Sequence, residues 1–306
     1  MTATAPGARS AKEPQIDQRV ARRARRDARV ASRVASREER WNNFRYAVPY
    51  RTDGPKISLG LLWFASIMAA AWIQGLLVII PVSFAVTIGA FQLGHVWLTD
   101  RSAGAVSETV GQVISISTYR FLCAALALIV AVGGWGGRFG LGLSTVLVAL
   151  IAVLCGSWFG GSYSADRAIE MAALLVRCSI PIGIAGGALV AVAVSSPRAF
   201  VVLFVLISAY EAADFLVGSG SSNAVEGPVA GVAAVAVAAF ALRLVPPEPL
   251  TQASLTAFAV LTALSCVTGQ LVASAIMPRG GVFAPGLRRL DSALIAAPLW
   301  LVLLPL

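Results

Sequence analysis

Beyond residue 56 the apolar residues of this chain fall into long runs, at 57–75, 76–98, 119–133, 139–159, 168–194, 198–218, 227–245, 251–277 and 290–306. About 20 apolar residues in a row is what an α-helix needs to cross a bilayer core about 30 Å thick. The pattern predicts an all-α fold: a polytopic integral membrane helical bundle of about nine transmembrane helices, or eight if the short third run forms no span of its own. The first two runs are fused into a stretch too long for one span, so a turn is expected near Gln74, Gly75 or Pro81. The third run ends in Gly133-Gly134-Trp135-Gly136-Gly137, which reads as a loop and, without a P-loop lysine, not as a phosphate cradle.

Composition sharpens this. Of 306 residues, 58% are hydrophobic and 13% charged, which excludes a soluble globular domain, where charged residues make up about 25%. Cys123, Cys155, Cys178 and Cys266 each sit alone in an apolar run without C-x-x-C spacing, and are expected to pack. Trp63, Trp72, Trp97, Trp135, Trp158 and Trp300 fall mostly towards span ends, as an aromatic belt does.

The net charge of +9 is concentrated in residues 1–45, which hold 11 Arg and one Lys against five acids. From Ile16 to Trp41 this tail has no Pro or Gly, so a basic amphipathic helix on an anionic leaflet, a nucleic-acid arm and a transit peptide are all open. Its acids, Glu13, Asp17, Asp27, Glu38 and Glu39, argue against a transit peptide, and the chain holds no nucleic-acid reading module, so nucleic acid is not an expected partner. The favoured reading of residues 1–51 is a cytoplasmic tail, partly helical or disordered, that sets topology by the positive-inside rule and meets anionic phospholipid headgroups. No cleavable signal peptide precedes the first run, so the N-terminus is expected in the cytoplasm.

With nine spans, the segments Asp100–Thr118, Gly160–Arg167, Gly218–Glu226 and Pro278–Arg289 then face the cytoplasm, the last carrying Arg279, Arg288 and Arg289. Arg138, Arg198, Arg243 and Glu248 fall outside. The membrane part divides into 57–194 and 198–306.

An ionisable group inside a span costs at least about 2.5–3.5 kcal/mol on insertion scales, so each one is a functional candidate. Glu211 and Asp214, three residues apart, share one helix face near the expected cytoplasmic end of their run. Glu226 follows a Gly/Ser loop. Such carboxylates suit Mg²⁺, whose shell a nucleotide phosphate completes. The alternative is that they cap helix ends and meet arginines. His95 reads as a packing residue, and Arg177 is expected to pair with Glu170, seven residues earlier on roughly the same face.

Tyr210-Glu211-Ala212-Ala213-Asp214-Phe215-Leu216-Val217-Gly218 and then Ser221-Ser222-Asn223-Ala224-Val225-Glu226-Gly227 resemble the D-x-x-A-Y-x-x-G and S-P-K-K-T-x-E-G motifs of CDP-diacylglycerol synthases, the phosphatidate cytidylyltransferases. Gly269-Gln270-Leu271-Val272-Ala273-Ser274 is similar to the family's G-D-L-x-E-S. Arg288-Arg289-Leu290-Asp291 looks like the end of its P-G-H-G-G-x-x-D-R-x-D signature, preceded by either Pro285-Gly286 or Pro278-Arg279-Gly280-Gly281-Val282. The resemblance covers about residues 198–306.

It implies a membrane enzyme of phospholipid biosynthesis that joins CTP to phosphatidic acid, giving CDP-diacylglycerol and pyrophosphate. It implies Asp291 and Glu226 as catalytic residues and Glu211 and Asp291 around Mg²⁺, with Asp214, which has no counterpart acid in the motif, as a compensating ligand, Ser274 on substrate, and Arg279, Arg288 and Arg289 as replacement cations for its phosphates. A homodimer is compatible with it, as is a bacterial cytoplasmic (inner) membrane. The match is uneven. Glu211 replaces an Asp, Gln270 replaces the Asp of G-D, Ala273 replaces a Glu, the paired lysines fall on Ser222 and Asn223, and Arg288 stands at an Asp position. These substitutions motivate the alternative expectation of a non-catalytic member that serves as a lipid-binding or partner subunit.

Overall fold

The computed structural model describes residues 56–99, 115–160, 164–221, 224–244, 248, 250–278 and 284–304. The basic tail, Arg279 and the Ser222-Asn223 pair lie outside the described residues. Among the described residues the secondary structure is helical, without strands: α1 Lys56–Ile73, α2 Ile79–Thr99, α3 Ile116–Gly133, α4 Gly137–Gly160, α5 Ala165–Ser195, α6 Pro197–Gly218, α7 Glu226–Leu244, α8 Gln252–Ile276 and α9 Ala293–Leu303. Six helical stretches are long and apolar enough to cross a bilayer, with Gly60–Ile73 and α9 as shorter apolar helices. The protein is a membrane helical bundle.

The break between α1 and α2 falls where the fused run requires it. Gln74 leaves the helix in an extended conformation and a 3-10 turn, Gly75–Val78, follows. Gly75 lies so close to the Ala193 carbonyl that a Cβ has no room there. Pro81 sits in the first turn of α2, where its missing N–H breaks no helical bond.

Gly133 to Gly137 form a reversal rather than an open loop. One of the six apolar stretches, Ile116–Gly160, is 45 residues long and folds back at the 3-10 turn Gly134–Gly136. Gly137 takes φ +64°, a left-handed conformation that glycine adopts without strain. Both arms then lie on α5. Val130 of α3 meets Gly183, whereas along α4 Leu141 meets Gly187 and Gly156 meets Ala172, so α4 runs back down the helix that α3 climbs.

α5 is the central helix. Its apolar window is 72% buried, against 22–50% for the other spans, and the Gly183, Gly186 and Gly187 stripe admits α2, α3 and α4 at close range. Ser164 caps its start by accepting from the Arg167 N–H, Ser196 caps α6 from the Ala199 N–H with Pro197 at the first helical position, and Thr251 forms a capping box with Ser254 on α8.

The last segment differs from its pattern. Pro278–Arg289 is expected as a surface loop followed by a helix over 290–306, but α9 starts only at Ala293, and Ala284, Leu287 and Leu290 are buried. Gly286 packs against Gly89 at the midpoint of α2, and its N–H donates to Gln92 Oε1 at 2.7 Å. Irregular backbone at such depth is stable only where protein surrounds it. Hydropathy reads the charges of this segment as a signal for water, whereas here the bundle itself solvates them. At the far end of α9, Arg138 donates to the carbonyls of Leu301 and Leu304 at 2.8 and 2.6 Å, placing a cation on a helix C-terminus.

Candidate functional site

Three separate stretches of sequence meet around the buried turn. α6 supplies Tyr210, Glu211 and Asp214, α8 supplies Gln270, and the turn before α9 supplies Arg288, Arg289, Asp291 and Ser292. Gly269 permits the approach, because any Cβ there strikes the Asp291 carbonyl. Gly60 of α1 lies beside the Arg289 guanidinium, whose Nη1 is 3.3 Å from where a Cβ would stand.

The polar contacts form two groups. In the first, Gln270 is 5% exposed and bridges two helices: its Nε2 donates to Asp214 Oδ2 at 2.9 Å, and its Oε1 accepts from the Tyr210 hydroxyl at 3.1 Å. In the second, Arg288 Nη1 pairs with Asp291 Oδ2 at 3.0 Å, while Asp291 Oδ1 accepts from the Ser292 N–H at 2.7 Å and from its hydroxyl at 3.3 Å. Glu211 lies between them, within electrostatic reach of Asp214, Asp291 and Arg289. Its Oε1 is buried without a hydrogen-bond partner, as are Nε and Nη2 of Arg288. Glu211 and Arg289 also line a cavity of about 20 Å³ together with Trp63, Phe204 and Ser208, room for about one water.

The other expected site residues stand elsewhere or in other roles. Glu226 begins α7, accepts from the Ser221 hydroxyl at 2.5 Å and borders a shallow apolar groove with Val225 and Val229, so it is not part of the buried cluster. Ser274 is buried, but its hydroxyl bonds back to the Gln270 carbonyl. Arg177 stacks on Trp97, 4.6 Å from the ring centroid, and donates to the Ala275 carbonyl, in place of the expected pairing with Glu170. The indole offers a face that a carboxylate seven residues away on the same helix cannot. Gln92, Tyr210 and Ser292 join the site without having been singled out from sequence. Gln92 did carry a signal, being the lone amide inside the run 76–98.

The Mg²⁺ that the resemblance implies does not fit this donor set. Asp214 Oδ2 is occupied by an amide, both Asp291 oxygens are occupied by chain donors, and among the described residues no three acidic, histidine or cysteine side chains converge to hold an ion. No protein-family model matches the chain, and searches of curated proteins and of solved structures give no match.

Proposed function

We propose that the chain is a phosphatidate cytidylyltransferase-like protein of a bacterial cytoplasmic membrane, with nine spans, a cytoplasmic N-terminus and a site for the phosphate of an anionic lipid. One observation carries the reading. The motif-like segments around Glu211, Gln270 and Asp291 are up to 80 residues apart in sequence, yet their polar side chains form one buried cluster. Polar residues of any bundle turn inward, but here they come from three segments that match successive motifs of one family in the family's order.

In the transferase reading, an oxygen of the lipid phosphate attacks the α-phosphorus of CTP, the bond to the β-phosphate breaks and pyrophosphate leaves. Arg289, which lines the cavity beside Glu211 and lies within its electrostatic reach, is the residue this reading assigns to a phosphate oxygen. Asp291 orients Arg288.

A second reading, a non-catalytic lipid-binding or partner subunit, is favoured by a separate observation. Asp291 is paired with Arg288 and Asp214 accepts from the Gln270 amide, so both are engaged within the chain, and the cavity beside Glu211 is the size of a water. The deciding assay follows labelled CDP-diacylglycerol from CTP and phosphatidic acid in mixed micelles, with and without Mg²⁺. Product that disappears in Glu211→Gln and Asp291→Asn supports the transferase. No product, with phosphatidate binding that Arg289→Met weakens, supports the subunit. Neither product nor binding removes the reading.

A further inference from the structure

We infer that Gln270 decides whether this site takes a divalent cation, and that through Gln270 the site is closed to one. The inference rests on reading the cluster as the counterpart of a cation-dependent transferase site.

Gln270 is hydrogen-bonded at both ends, and Asp214 fixes which way round its amide sits. Turning the amide over places its oxygen against Asp214 Oδ2, two acceptors with no proton between them, whereas the present orientation satisfies Asp214, Gln270 and Tyr210 together. The NH₂ group therefore occupies the direction from which a cation would reach Asp214 Oδ2. It satisfies that oxygen as a neutral donor, without supplying a charge.

The geometry also says what an acid would do there. Ligand oxygens about 2.0–2.1 Å from an octahedral Mg²⁺ lie about 2.9 Å apart when adjacent. Gln270 Nε2 and Asp214 Oδ2 are separated by 2.9 Å. A glutamate at 270 has the same shape as the glutamine, so it puts a carboxylate oxygen at that spacing. Glu211, one helical turn from Asp214 and with a buried unbonded Oε1, is the next carboxylate on the same helix. Two carboxylates face to face inside the bundle then require a cation or a proton between them.

The probe is Mn²⁺, followed by electron paramagnetic resonance on purified full-length protein in detergent micelles without nucleotide or lipid. The wild type is expected to show no saturable site. Gln270→Glu is expected to gain one Mn²⁺ per chain, held at least about tenfold more tightly than by the wild type, and to lose it again when combined with Asp214→Asn. Saturable Mn²⁺ binding by the wild type that Asp214→Asn abolishes overturns the inference, as does a folded Gln270→Glu protein that binds no more Mn²⁺ than the wild type. Where Gln270→Glu does not elute as a folded species, Gln270→Asp takes its place, and the comparison of wild type with Asp214→Asn decides independently of either. Failure of the cytidylyltransferase reading shows as missing CDP-diacylglycerol and leaves the Mn²⁺ result standing. Wild-type Mn²⁺ binding would sink the inference and leave that reading intact.

Discussion

Arg288 shows how a charge is tolerated in this bundle. Its side chain is 10% exposed, one terminal nitrogen is paired with Asp291, and two more N–H groups are buried without a protein acceptor. Buried donors of this kind are normally met by ordered water. Removing the arginine leaves Asp291 buried and uncompensated, so Arg288→Ala is expected to destabilise the protein by about 3–5 kcal/mol. Combining it with Asp291→Asn should recover part of that loss, and thermal unfolding of the four proteins of the cycle in detergent measures it; strict additivity would show that the two residues do not act as a pair. Tyr210→Phe deletes one bond to Gln270 and should cost about 1 kcal/mol. Gly231→Ala places a Cβ 2.6 Å from the same ring and should cost about 1–3 kcal/mol, read in the same melts. At this scale the i, i+3 spacing of Glu211 and Asp214 was legible, because helix geometry is local. Their partners were not. Gln270 lies 56 residues from Asp214, and no periodicity relates one amide to one carboxylate at that distance.

Helix positions followed from the apolar runs, but helix relations did not. The α3–α4 reversal depends on Gly134 touching the backbone of Gly187 on α5, a contact that leaves no space for a side chain. Gly134→Val should therefore separate the hairpin from the central helix, and a loss of monodisperse protein on size exclusion is the expected result, while Gly142→Ala, where a Cβ meets nothing, serves as the control. Arg138 ties the same hairpin to the Leu301 and Leu304 carbonyls at the C-terminal end of α9, the helix that follows the buried turn. Arg138→Ala is expected to lower stability by about 1–2 kcal/mol, since charged hydrogen bonds are worth more than neutral ones but these are partly exposed. The segment Pro278–Arg289 reads from sequence as a surface loop carrying Arg279, Arg288 and Arg289, and Asp291 as part of the apolar run 290–306. The burial of Arg288 and Asp291 is tolerable because they neutralise one another and Gln92 meets the backbone of the turn.

Across the molecule, contacts sort the helix ends into two sets. Gly75 meets Ala193 and Pro197, Arg138 meets Leu301 and Leu304, and Arg198 pairs with Glu248. Trp97 donates to the Ile276 carbonyl at the opposite set of ends. Single cysteines at Ser196 and Glu248 should accordingly react with an impermeant maleimide from one side of the membrane, and cysteines at Ser164 and Ser219 from the other. Labelling of Ser196→Cys and Ser164→Cys from the same side contradicts strict alternation. For the basic tail, deletion of residues 1–45 should weaken binding to vesicles containing anionic phospholipid, with the difference fading at high salt as screening shortens electrostatic reach. Unchanged binding would remove the tail from lipid contact.

By itself the sequence determined the solvent, the helical class, a turn near Gln74, Gly75 or Pro81 and which carboxylates share a helix face. All of these follow from transfer free energy and from backbone geometry within a few residues, and both are local. Only the tertiary structure decided that α5 is the hub, that the charged turn before α9 is folded into the bundle, and that Gln270 spans Tyr210 and Asp214. Those are pairings between residues far apart in the chain. Every apolar run offers lipid the same greasy surface, so the choice among neighbours rests on the fit of a few glycines and on a handful of polar groups that no bilayer can satisfy.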